Sequence, residues 1–202
     1  MTASIQRPSQ SGMRLYNHQN RRLYLNRSER QQFLRMLPHQ PPEVRCFCEV
    51  LAKTGCRISE AISLSPASVQ VEEGTITFKT LKRRGELVMR EIPVPVELTR
   101  LLRTTFGATW ECADAPLWQN CERPINRSTG YRWVRTVMAA AEIKGAMASP
   151  KGLRHGFGIH AILCGVQLHM LQKWMGHASI TTTMIYANAV GPEEREIARR
   201  MW

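Results

Sequence analysis

The segment Trp174-Met175-Gly176-His177-Ala178-Ser179-Ile180-Thr181-Thr182-Thr183-Met184-Ile185-Tyr186 sets a tyrosine nine residues after a histidine. Apolar spacing on either side predicts helices over 168–175 and 179–188. His177 then lies between two helices and Tyr186 lies on the second. The plain structural reading of such a tyrosine is a half-buried aromatic on an amphipathic helix.

Upstream, the same periodicity continues. Pro150 precedes a predicted helix over 151–164, and Asn126 can cap one that runs to Glu142, with Tyr131, Val134, Met138 and Ala141 on one face. Ser28, followed by Glu29, Arg30 and Gln31, reads as the cap of a helix that ends at Pro38. Pro41 and Pro42 start the next, and Gly55 closes it. A short helix over Ile58 to Leu64 follows. Thr75 to Thr80 and Glu86 to Val94 alternate like strands. They flank Lys82-Arg83-Arg84-Gly85, so they predict a hairpin with a cationic tip. Pro95 to Phe106 reads as helix, and Gly107 to Asn126 as a loop whose acidic part, Glu111 to Glu122, faces away from any polyanion. Pro192 opens a last amphipathic helix, with Glu193 and Glu194 in its first turn and Arg199 and Arg200 in its last, as the helix dipole favours. The fold class is mainly α with a small antiparallel β-sheet (α+β).

Composition narrows the partner. Of 202 residues, 43% are hydrophobic, so a packed core is available. Lys and Arg number 28 against 16 Asp and Glu, a net charge of +12, which points to a polyanion, nucleic acid above all. No apolar run is long enough to span a membrane. Cys46, Cys48, Cys56, Cys112, Cys121 and Cys164 form no CxxC pair, which argues against a zinc module and for free thiols in a reducing cytosol. The first 28 residues hold Arg7, Arg14, Arg21, Arg22 and Arg27 and no acid. They are read as a flexible basic arm, with a transit peptide or a frayed terminus as the other readings. The expected division is an arm over 1–26, a main domain over 27–190 and a C-terminal helix over 191–202.

Two further segments carry chemistry. Gly55-Cys56-Arg57-Ile58-Ser59-Glu60 sets Arg57 at the N-terminal edge of a helix, and Pro150-Lys151-Gly152-Leu153-Arg154-His155 sets Arg154 in the first turn of another. A guanidinium is planar, stays charged and binds phosphate through two bonds. Taken singly, either arginine reads as a surface group. Together with Gly176-His177 and Ile185-Tyr186, in this order, the segments resemble the tyrosine recombinase (phage integrase) family over roughly Arg27 to Val190.

The resemblance implies a fold and an activity: the family's catalytic domain, cutting and rejoining duplex DNA through a 3′-phosphotyrosine without metal or other cofactor. It implies that Tyr186 is the nucleophile and that Arg57, Arg154 and His177 surround the phosphate. Three residues before its second arginine the family usually has histidine, and here Lys151 stands there. Lysine donates to phosphate but is a poor base unless desolvated. A tuned substitute base, a dispensable base and a mere DNA contact all remain open for it. The family's general acid is a hairpin lysine, here Lys82, with Lys79 as the fallback. Lys79, Arg83, Arg84, Arg127 and Arg132 are the expected DNA contacts. Glu60 is expected to brace Arg57, and His155 to pack in the core.

Most of the family carries a helical domain ahead of the catalytic one, for which about two dozen residues leave no room here, so a short form such as a DNA invertase is expected. The implied partners are double-stranded DNA with specific sites, a homotetramer on synapsed DNA, and accessory DNA-bending proteins. The C-terminal helix is a candidate for exchange between protomers. The setting implied is the cytoplasm, at the nucleoid, of a prokaryote, phage or plasmid, for a protein of a mobile element. Two other outcomes fit the same residues. One is a DNA-binding regulator that lost catalysis, and the other is a type IB-like topoisomerase or hairpin resolvase.

Overall fold

Asn26, not Ser28, opens the first helix in the computed structural model of the protein, which describes residues 13–81, 87–120, 123–187, 192–199 and 201. Helix α1 spans Arg27–Met36. The Asn26 side chain accepts from the Glu29 backbone N–H, and the Glu29 carboxylate accepts from the Asn26 N–H. Arg22 fixes that carboxylate with bonds of 2.6 and 2.7 Å. A cap at Ser28 would rely on the uncharged amide of Gln31 instead, and charge-assisted bonds are the stronger. One 3-10 turn, Leu37–His39, leads into α2, Pro42–Thr54.

Gly55 ends α2 in the left-handed region (φ +61°). A Cβ there would lie 2.3 Å from the Phe157 ring, so both the backbone and the packing require glycine. The chain then turns into α3, Ile58–Ile62. A three-stranded antiparallel sheet follows in the order β1 (Val69–Gln70), β2 (Thr75–Leu81) and β3 (Leu87–Pro93). Strand β1 is too short to have shown in the sequence. Phe78 faces Arg90 and Ile76 faces Ile92, all four buried, while Lys79 and Met89 pair on the outer side. The predicted cationic tip, Lys82 to Glu86, lies outside the described residues.

Helix α4 is Val96–Thr105. The stretch expected to be a plain loop instead holds a 3-10 turn, Gly107–Glu111, and a two-residue hairpin, β4 (Gln119–Asn120) with β5 (Arg123–Pro124). Trp118 anchors it. The indole is fully buried, lies edge-on to Phe47 and Phe106, and donates to the Ala61 carbonyl at 2.5 Å. Burying a side chain of this size contributes at least ~2–3 kcal/mol, enough to order the loop around it. Asn126 caps α5, Arg127–Ala140, as predicted.

Helix α6, Pro150–Leu163, is capped by Ser149 and buried along most of its length. Helices α7 (Leu168–Met175) and α8 (Ile180–Met184) pack beside it, and α9 (Pro192–Ala198) docks on α6 of its own chain, with Glu196 bonded to Arg27 at 2.5 Å. Helix α8 is shorter than predicted, and Tyr186 stands in the turn beyond it. The expected arm boundary at 26 falls inside packed structure. Leu15, Tyr24 and Leu25 are buried, Tyr16 bridges Arg22, and the Leu25 N–H donates to the Gly152 carbonyl at 3.2 Å. Apolar side chains at 15, 24 and 25 outweigh the basic composition there. Residues 1–12 and Trp202 lie outside the described residues.

Gly152 lets α6 start where it does. A Cβ there would sit 1.9 Å from the Met147 carbonyl oxygen. Gly152→Ala should therefore cost roughly 3 kcal/mol, a drop in melting temperature on the order of 10 °C, read by thermal denaturation.

Candidate active site

Arg57 is the N-cap residue of α3 and presents a guanidinium whose side chain is 43% exposed. Its backbone N–H donates to Glu60 Oε2 (2.7 Å) and its Nη1 to Glu60 Oε1 (3.0 Å), so Glu60 braces it as expected. Glu60 is itself buried, and a second buried arginine holds it. Arg90 Nη2 donates to Glu60 Oε2 (2.6 Å), and Nη1 donates to Oε1 (3.1 Å) and to Thr80 Oγ1. Arg90 Nε donates to the Trp174 carbonyl at 2.9 Å, three residues before His177. Gly176 leaves room for this guanidinium, since a Cβ there would approach Arg90 Nη1 to 3.1 Å. One arginine thus joins α3, both long strands and the end of α7.

Arg90 is absent from the sequence-based expectations, yet its strand position carries a signal. It occupies the inward phase of β3 with Ile92, opposite Phe78. A charge in that phase demands a buried partner.

Arg154 is buried on α6. Its Nη1 donates to the Gly55 carbonyl (2.5 Å) and its Nη2 to the Met175 carbonyl (2.7 Å) and to His177 Nε2 (3.0 Å). Arginine only donates, so His177 Nε2 accepts and its Nδ1–H donates to Thr183 Oγ1 (2.9 Å). Burial, then the charges of Arg154 and Arg57, push His177 down to about 3, so it is neutral at neutral pH. Burial and the nearby Arg57 charge pull Arg154 down to about 10, which leaves it cationic. The two arginines repel each other, and an anion between them would relieve that repulsion.

Tyr186 has no exposed surface. Its ring lies flat beside His177 (6.3 Å between centroids, 14° between planes) and against Gly158, where a Cβ would come within 2.7 Å of it. Its Oη is 3.0 Å from His155 Nδ1. Burial raises the phenol above its usual value, and the charges of Arg154 and Arg57 offset this only in part. His155, for which core packing is expected over proton transfer, packs and also meets the tyrosine oxygen. No periodicity marks a contact between residues 31 apart.

Arg57, Arg154, His177 and Tyr186 are thus brought together as the sequence predicts. A cleft of about 400 Å³ opens at His177, the one member of the four that lines it, with Thr80, Arg90, His169, Lys173 and Gly176. Lys151 is exposed in the first turn of α6, and Lys79 points outward from β2. Arg127 and Arg132 lie exposed on α5, and no described contact joins them to the four. Lys82, Arg83 and Arg84 lie outside the described residues.

Residues 23–191 match the phage integrase family. The chain belongs to that family. Tyrosine recombinase XerD of Rhizobium meliloti (strain 1021) is 35% identical over 160 residues, which cover 75% of this chain and 48% of that protein. Tyrosine recombinase XerA of Pyrococcus furiosus is 26% identical over 182 residues, 87% of this chain and 60% of that one. The chain spans about half the length of the curated integrase-family relatives it matches. Among solved structures, XerA recombinase superposes with a TM-score of 0.76 at 24% identity, covering 88% of this chain and 64% of that one. The catalytic domain of bacteriophage HP1 integrase gives 0.59 at 23%, covering 88% and 93%. XerH site-specific recombinase bound to its difH substrate gives 0.69 at 21%, covering 82% and 50%. The α+β fold is that of the integrase-family catalytic domain.

Burial raises the Glu60 carboxyl, but bonds and charge from Arg90, then Arg57, hold it below the usual carboxylate range. A depressed carboxyl stabilises the fold above its unfolded value, and that stability is lost as pH falls through the folded value. Arg90→Met should therefore cost ~3–5 kcal/mol at neutral pH. The gap to wild type should narrow on acidification through the carboxylate range, measured by denaturant melts across pH.

Proposed function

We propose that this chain cleaves and rejoins duplex DNA at specific sites, through a 3′-phosphotyrosine on Tyr186. The observation that carries the reading is the convergence of Tyr186, Arg57, Arg154 and His177, in a chain of net charge +12. The names of its relatives, tyrosine recombinases, support it.

The scissile phosphate enters between Arg57 and Arg154, whose mutual repulsion it relieves. As negative charge grows on the non-bridging oxygens, the two guanidinium groups stabilise it, by ~2–4 kcal/mol for the buried Arg154, and His177 holds Arg154 in place through Nε2. Tyr186 Oη attacks phosphorus, the bond to the 5′ oxygen breaks, and the ester conserves the energy for religation. The leaving oxygen takes a proton from a hairpin lysine, Lys82 in this proposal, with Lys79 as the fallback. Lys151 contacts phosphate from the start of α6. Lys79, Arg83, Arg84, Arg127 and Arg132 grip the backbone on either side.

Exchange between two sites requires four protomers on synapsed DNA. Helix α9, docked on α6 of its own chain in the single protomer, passes to a neighbour in that assembly, and accessory bending proteins complete the complex. The DNA substrate of XerH is the precedent for a specific site. Site placement selects integration, inversion or resolution. The reaction takes place at the nucleoid.

The test is covalent trapping on a nicked site taken from beside the gene. Wild type should form a DNA adduct that mass spectrometry maps to Tyr186, and Tyr186→Phe should form none. Lys82→Ala should bind DNA normally and cleave at least ~100-fold more slowly. A 5′-bridging phosphorothioate, whose leaving sulfur needs no proton, should restore it. Absence of the wild-type adduct would return the protein to the class of DNA-binding regulators. An adduct without strand exchange would make it a topoisomerase.

A further inference from the structure

His155 lies one residue past Arg154 on α6 and has no exposed surface. Its Nδ1 is 3.0 Å from Tyr186 Oη, and its Nε2 is buried with no polar partner. Counting unsatisfied groups gives the bond a direction. With the hydrogen on Nδ1, the imidazole would donate to Oη. The phenol hydrogen and the Nε2 lone pair would then both lack a described partner. With the hydrogen on Nε2, the phenol donates to Nδ1 and only one buried group stays unpaired. The second arrangement leaves fewer orphans, and it puts a basic lone pair against the hydrogen that cleavage must remove.

The other groups near the phenol are poorly placed for that task. Arg57 and Arg154 have no lone pair to offer. His177 stacks on the tyrosine ring, and its two nitrogens are engaged by Arg154 and Thr183. Lys151, which stands where the family usually has histidine, is exposed and has no described contact with Tyr186.

We propose that His155 is the catalytic proton acceptor for Tyr186. The proposal rests on the DNA-cleaving reading above and assigns the base in it. As the Oη–P bond forms and the P–O5′ bond breaks, the phenol proton passes to Nδ1 and His155 becomes an imidazolium. The proton for the leaving 5′ oxygen comes from a separate acid. In religation the 5′-hydroxyl attacks phosphorus, the tyrosine oxygen leaves, and Nδ1–H returns the proton to it. Burial first, then the charges of Lys151 and Arg154, hold His155 at about 4, while burial raises Tyr186. Transfer ahead of attack is therefore steeply uphill, and the proton moves with bond formation. The incoming phosphate sets negative charge beside the cations that oppose the imidazolium.

His155→Asn is the sharpest variant, because an amide oxygen can accept the tyrosine bond but cannot hold a proton. It should bind DNA as wild type does and form adduct at least ~100-fold more slowly. A trifluorotyrosine at 186, whose phenol is more acidic, should recover at least tenfold of that loss. Cleavage that is unchanged or faster in His155→Asn means the tyrosine is merely parked there, and overturns the proposal. Slow cleavage that the acidic tyrosine does not recover means packing alone, and overturns it too. His155→Gln, and melting of both variants, separate misfolding from chemistry. Nitrogen-15 NMR of the unaltered protein gives a readout independent of DNA. Nε2 should carry the hydrogen at neutral pH, and a protonated Nδ1 sinks the assignment. A wild type that forms no adduct removes the cleavage reading itself, an outcome distinct from a cleaving His155→Asn.

Discussion

The buried carboxylate of Glu60 is the constraint on which the site depends. Its two oxygens receive Arg57 from one side and Arg90 from the other, the latter through a pair of bonds at 2.6 and 3.1 Å. A carboxylate removed from water is costly unless it is paired and fully hydrogen-bonded. Satisfying it fixes three elements at once: the start of α3, the inward face of the β2–β3 hairpin, and the end of α7 through the Trp174 carbonyl. Arg57 is therefore aimed before any substrate arrives. Side chains held by their own partners lose little freedom when they bind, which is what preorganisation means in energetic terms.

The pocket that results has a particular charge state. Arg57 and Arg154 are cationic, while His177 is kept neutral by burial and by the same two charges. Tyr186 is kept protonated by burial. Three arginines, Arg57, Arg90 and Arg154, thus stand against the one carboxylate of Glu60, which leaves the site with excess positive charge around a protonated phenol. A single physical cause, desolvation, restrains the tyrosine and sharpens the demand for phosphate.

Much of this was legible from local sequence. Gly55 and Asn126 mark helix ends, and their roles hold in three dimensions because capping is decided within a few residues. The two long strands, β2 and β3, were legible from alternation. Ser28 and Asn26 both satisfy the local capping rule, and the arginine that tips the balance to Asn26, Arg22, lies outside the usual capping window. The segment Gly107 to Asn126 has scattered aromatics and no period, so nothing local announced that Trp118 would pin it to Phe47 and Ala61. The described part of the basic arm is held by Leu15, Tyr24 and Leu25, three side chains too few to make a pattern.

Sequence by itself determined most of the helices, some of their ends, the long hairpin, and the marking of Arg57, Arg154, His177 and Tyr186, because each sits in a short run with its own local signature. Tertiary structure alone decided that Arg90 holds Glu60 across 30 residues and the Trp174 carbonyl across 84, and that His155 meets the tyrosine oxygen. The reason is the range of the forces. Caps and periodicities are set by neighbours along the chain, whereas the partner of a buried charge or phenol is whatever the packed core brings to it.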